Sequence, residues 1–106
     1  NQLDLDVDSH LRVDKQKGQG IRSTVKQVEI RFRQGGERCK PAGRSHSNSL
    51  KKLLLEYELA PWLRDRVPLF YVDERLIAVG DLWVCEDWLA GSSEIGQMIH
   101  WQVDSV

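Results

Sequence analysis

The chain is short of several things. It holds two cysteines, three prolines and one methionine in 106 residues. No apolar run approaches the ~18 residues that cross a bilayer as a helix, so no membrane contact is expected. The opening NQLDLDVDSH has neither the basic start nor the apolar centre of a secretory leader. Cys39 and Cys85 are too few for a disulfide framework, which makes a reducing cytoplasm the expected compartment. Catalytic signatures are missing too. The phosphate loop GxxxxGK[ST] is absent, and Gly18-Gln19-Gly20 lacks the third glycine and the flanking strand of a dinucleotide fingerprint. There is no nucleophile elbow and no inward pair of carboxylates. A zinc site drawn from Cys39, His46, Cys85 and His100 lacks the C-x2-C or H-x3-H spacing of such sites. Neither a metal nor a cofactor is expected in this chain, nor a reaction carried out by it alone.

What is present is enough for a single domain with one core. Hydrophobic residues make up 41% and charged residues 29%, close to the globular averages. A first residue of Asn1 rather than Met fits a domain from a longer protein. The net charge of −1 hides an uneven distribution. Residues 31–52, RFRQGGERCKPAGRSHSNSLKK, hold seven bases against one acid, a local +6. The remaining eight bases and fifteen acids give the rest of the chain −7. Such asymmetry points to a polyanionic partner, nucleic acid first.

Period-2 patterns predict strands over LDLDVD (3–8), with Leu3, Leu5 and Val7 on one face, and over VEIRFR (28–33), with Val28, Ile30 and Phe32 inward. LRV (11–13) continues the first strand after a turn, and the polar stretch 14–23 reads as a loop. Gly35, Gly36, Pro41 and Gly43 make 34–49 a long excursion or an irregular hairpin. Leu50, Leu53, Leu54 and Tyr57 recur at helical spacing, which predicts a helix over 49–59 capped by Ser47, Asn48 or Ser49. A short second helix is expected over 60–66, with Pro61 near its start and Pro68 beyond its end. VPLFYV, RLIAVG, DLWVCE and MIHWQV read as further strands, the first two joined by a tight turn at Asp73–Glu74. About six strands and one or two helices make an α+β domain, a compact sandwich-like packing of sheet with helix.

The charge order in the predicted helix is reversed. Lys51 and Lys52 stand in its first turn and Glu56 and Glu58 near its end, whereas the peptide dipoles favour the opposite. A bound anion at the helix start would offset that cost, as backbone N–H groups gather there. The plainer reading is a solvated surface in which Arg31 and Arg33 pair with Asp4, Asp6 and Asp8 of a neighbouring strand. Of the four tryptophans, Trp83 and Trp101 read as core, while Trp62, beside Arg64, Asp65 and Arg66, remains open as a base-stacking ring.

Taken in order, R-x-R-x-G-G-E (Arg31 to Glu37), P-x-G-R (Pro41 to Arg44), S-L-K-K (Ser49 to Lys52), P-W-L-R-D-R-x-P (Pro61 to Pro68) and L-I-A-V-G (Leu76 to Gly80) resemble the C-terminal domain of bacterial tRNA(Ile)-lysidine synthetases. The resemblance covers about half of the chain, with MIHWQV similar to the family's closing strand. It implies that residues 1–106 are a single tRNA-binding domain of a cytoplasmic ligase. That ligase uses ATP, with magnesium, to join lysine to the wobble cytidine of a minor isoleucine tRNA, giving lysidine. It implies that chemistry belongs to an N-terminal PP-loop domain whose SGGxDS-type motif is absent here. It further implies a fold like a domain of the phenylalanyl-tRNA synthetase β subunit. The expected partners are the acceptor stem of tRNA(Ile) and the catalytic and middle domains of the parent. A-form RNA offers phosphates and 2′-hydroxyls more readily than base edges. Arg31, Arg33, Arg38, Lys40, Arg44, Lys51 and Lys52 are therefore the expected phosphate contacts, with Arg64 and Arg66 beside them. The alternative is an interdomain module that touches no RNA.

Overall fold

A strand that is apolar on both faces has to lie between two layers, and VPLFYV does so. The computed structural model describes residues 2–6 and 8–104, the side chain of Asp6 excepted. Val7, expected to face inward, lies outside the described residues. A four-stranded antiparallel sheet in the order β3 (Glu29–Arg31), β6 (Leu69–Val72), β7 (Arg75–Val79), β8 (Trp83–Val84) is the central layer. On one side, Leu69 and Val79 join Leu50, Leu53 and Leu54 of α1 (Leu50–Glu56) with Val67, Trp83, Cys39 and Cys85. On the other, Phe70, Ile77 and Ala78 meet Leu11, Ile21 and Ile99. These last residues belong to, or lie against, a second sheet of β1 (Gln2–Asp6), β2 (Ser9–Lys17) and β9 (Ile95–Val103). Trp88 and Trp101 are half-buried and pack against both apolar clusters. The described residues form an α+β domain, mostly antiparallel sheet with one α-helix.

A third, two-stranded sheet pairs β4 (Arg38–Cys39) with β5 (Asn48–Ser49) and runs directly into α1. Ser49 is the cap among the three candidates, its side chain accepting from the Lys52 N–H. A 3₁₀ helix, Pro61–Leu63, stands where a second short helix was predicted, with Pro61 at its first turn. The β6–β7 turn holds Asp73 and Glu74 at φ 48° and 68°. Both are left-handed values, as a turn that matches strand twist requires.

Four expectations change. β2 continues to Lys17 through what read as loop, because β9 offers a nine-residue partner. β3 is only three residues long, and Val28 and Phe32 are left 40% and 41% exposed. The described residues form nine strands rather than six, since the hairpin and the edge strands are too short to show a period. Cys39 and Cys85 are joined as a disulfide, which removes both from the four residues weighed for zinc. Among the described residues, no cluster of His, Cys, Asp and Glu could hold a metal.

Candidate nucleic-acid interface

Leu50 follows Arg38 by twelve positions, and only two ladder pairs, Arg38 with Ser49 and Cys39 with Asn48, close the excursion. So short a hairpin needs other fastenings. The Ala42 N–H donates to the Val84 carbonyl (2.9 Å), the Glu86 N–H to that of Lys40 (2.7 Å) and the Leu50 N–H to that of Glu37 (2.8 Å). The disulfide fixes Cys39 to the residue after β8, and the Trp83 indole N–H donates to the Cys39 sulfur at 3.3 Å. The loop before β4 is shaped by Glu37. Its carboxylate, though partly buried, is held below the usual range because it accepts from backbone N–H groups, those of Gln34 and Gly35 among them.

The nine expected cations divide into two groups. Arg31 is gripped by Glu29 (2.9 Å) and Glu74 (2.6 Å) and lies over the Tyr71 ring. These bonds raise its pKa further, chiefly through Glu29. Arg33 stands 3.7 Å from Asp65, Lys40 2.7 Å from Glu86 and Arg44 2.9 Å from Glu56, and Arg66 pairs with Asp8. The plainer reading named different partners: β3 is not beside β1, so Arg31 and Arg33 do not pair with Asp4 or Asp8. By contrast Arg38, Lys51, Lys52 and Arg64 have no carboxylate partner among the described residues. Arg38 donates to the Ser47 carbonyl at 3.3 Å and Arg64 to that of Leu59 at 2.9 Å. Lys51 and Lys52 are exposed on α1.

The helix start differs from the expected anion site. α1 has seven residues, and two of its first N–H groups are already used, those of Leu50 and Lys52 by Glu37 and Ser49. The cationic side chains of Lys51 and Lys52 stand exposed there.

A cleft of about 270 Å³ opens beside the hairpin, lined by Arg38, Lys40, Ser47 and Leu76, with the Cys39–Cys85 bridge in its wall. Arg75 and Trp88 complete it, the guanidinium 5.5 Å from the ring centre. Glu86 and Asp87 line it as well, so three cations meet two carboxylates. Arg75 escaped the sequence reading because it lies far outside the basic stretch. The only signal for it was the Asp73–Glu74 turn that folds β7 back. Exposed ion pairs such as Lys40–Glu86 are worth about 0–1 kcal/mol each, so a phosphate can exchange with the carboxylate at little cost. Arg31, with two carboxylates and a ring, is the least free to do so.

Residues 28–101 match the sequence profile of the family described as the TilS substrate C-terminal domain. A Coxiella burnetii protein named tRNA(Ile)-lysidine synthase is 45% identical over 96 residues, 89% of this chain and 20% of that protein. Proteins of the same name from Methylococcus capsulatus and Nitrosomonas europaea are 37% and 31% identical over 70% and 91% of the chain, and 17% and 22% of their own lengths. The chain thus spans about a fifth of the relatives it matches.

Proposed function

Because this chain belongs to the TilS substrate C-terminal domain family, we propose that it is the tRNA-gripping part of a larger ligase that attaches lysine to the wobble cytidine of tRNA(Ile). Its surface meets the phosphates and 2′-hydroxyls of the acceptor stem, whose A-form grooves give little access to base edges. Activation with ATP and magnesium, and the joining step, belong to the parent's PP-loop domain. The 106 residues act as one non-catalytic domain, and the likeness to a phenylalanyl-tRNA synthetase domain is part of the same reading.

One observation carries the proposal: Arg38, Lys51 and Lys52 stand exposed, and without carboxylate partners among the described residues, on one continuous hairpin-and-helix unit beside the cleft. Paired cations around them, Lys40 and Arg44, extend the same surface once phosphate displaces their acids. The test is a titration with tRNA(Ile) at several salt concentrations. Binding through Z phosphates weakens with log salt at a slope of about −0.7 to −0.9 Z. Replacing Arg38, Lys51 and Lys52 by alanine should flatten that slope by about 2–3. A salt-independent affinity, or a slope untouched by the triple replacement, would overturn the reading.

A second reading, docking against the parent's other domains, rests on a different face. There Leu11, Val13, Ile21, Val28 and Phe70 line an apolar groove, with Val13 39% exposed. Lys51→Glu with Lys52→Glu separates the two. RNA affinity falls under the first reading, whereas under the second it is unchanged.

A further inference from the structure

Three exposed or half-exposed rings of this protein already carry an arginine. Arg31 lies 4.4 Å from the centre of the Tyr71 ring, Arg44 5.8 Å from that of Tyr57 and Arg75 5.5 Å from that of Trp88. Trp62 has no such cover among the described residues. At 65% exposed, it is also the most open large apolar side chain described. Burying an indole removes roughly 150–250 Å² of surface from water, yet neither apolar cluster uses this one. The 3₁₀ helix that carries it buries none of its residues.

The segment that follows the ring is rich in charge, with Arg64, Asp65 and Arg66 in succession. Arg64, the next residue but one, spends its Nε on the Leu59 carbonyl and has no carboxylate partner among the described residues. Arg33 reaches Asp65 at 3.7 Å, which sets the segment after β3 against the residues that follow the same helix. An uncovered π-face on a segment that also carries Arg64 and is met at Asp65 by Arg33 matches a nucleotide in both of its parts: base on ring, phosphate on arginine. An apolar protein surface would match the ring but offer nothing to Arg64, which has no carboxylate partner among the described residues.

We propose that Trp62 is a stacking platform for an unpaired nucleobase, with Arg64 and Arg33 beside it holding the adjoining phosphates. The inference rests on the tRNA-binding reading above and adds to it a need for single-stranded RNA, since bases inside a duplex are already stacked. No base identity is read, because every base offers a π-face.

The test compares two RNA probes, a hairpin duplex with a short 3′ single-stranded overhang and the same duplex with a blunt end. Stacking contributes enough that Trp62→Ala should weaken binding to the overhang probe by roughly 5- to 150-fold. The same variant should leave the blunt probe unchanged. Trp62→Phe should keep most of the difference between probes, and Trp62→Leu, which keeps apolar bulk without a π-face, should lose it. Equal affinities of Trp62→Ala and the parent sequence for the overhang probe overturn the inference while leaving the RNA-binding reading intact. Equal losses on both probes overturn it too, because the ring would then act without an unpaired base. If the parent sequence binds neither probe, both readings fall together.

Discussion

The two ends of the molecule are built by different means. In the β1–β2–β9 sheet, β2 and β9 pair residue for residue from Ser9 with Val103 to Lys17 with Ile95. At the other end the β4–β5 hairpin has two such pairs. Its place is fixed instead by the Cys39–Cys85 bridge and three loop hydrogen bonds. The difference follows from composition. Residues 31–52 are rich in charge and glycine, so they bring little apolar area to bury and few residues suited to long strands. A cationic surface that must keep its shape is therefore held by point fastenings, while the apolar half is held by a continuous ladder.

Removing the strongest of those fastenings should produce the largest effect. With the bridged cysteines 46 positions apart in sequence, chain-entropy reasoning assigns the bond about 4 kcal/mol. Cys39→Ser with Cys85→Ser should lower denaturant stability by about that amount. Amide exchange should speed up first over 38–49, with β2 and β9 remaining protected. Equal loss of protection in both halves would erase the contrast drawn above. The ladder half is broken in the opposite way, by sterics. A Cβ at Gly20 would stand 2.2 Å from the Gln97 carbonyl oxygen, and its φ of 81° disfavours a side chain. Gly20→Ala should cost about 3 kcal/mol or more and open β9 before the hairpin.

The smallest effect concerns His10, which ties the ladder half through Asp4 (2.8 Å) and Asp104 (2.6 Å). Its pKa is raised above 6.5, first by Asp4 and then by Asp104, and that of Asp4 is lowered from 3.8 mainly by His10. Raised in the folded state, His10 contributes fully below its ordinary value, and the contribution is lost as pH climbs through the raised one. Asp4 contributes above its ordinary value and loses that contribution as pH falls. Stability should therefore decline from mildly acidic to alkaline pH in the native chain, and this component of the decline should vanish in His10→Gln. Thermal melts across that range, with the hairpin probed separately, check that the pH response stays in the ladder half.

Periodicity exposed the parts where packing repeats. α1, with Leu50, Leu53 and Leu54 buried, was visible at helical spacing, and β6 and β7 were visible as apolar runs. The Ser49 cap was narrowed to three neighbours and needed the structure to choose among them. Short pieces were hidden, since two-residue strands such as β4 and β8 carry no period. The Cys39–Cys85 contact was hidden because pairing over such a distance depends on tertiary placement alone. For the candidate interface, the basic stretch was plain in the charge count. Which cations are already engaged by acids was not, because partners such as Glu74 for Arg31 and Glu86 for Lys40 come from distant strands. Arg75 beside Trp88 was missed for the same reason.

The ladder half also sets the tempo of folding. Ser9 accepts the indole N–H of Trp101 across 92 residues of sequence, and β2 cannot finish its pairing until that distant strand has left the ribosome. Contacts so far apart in the chain form slowly. Meanwhile the stretch beyond Arg12, which β1 does not reach, presents unsatisfied backbone to any passing strand. Lys15 and Lys17 lie on that waiting stretch, where like charges on two nascent copies repel one another and discourage them from pairing edge to edge.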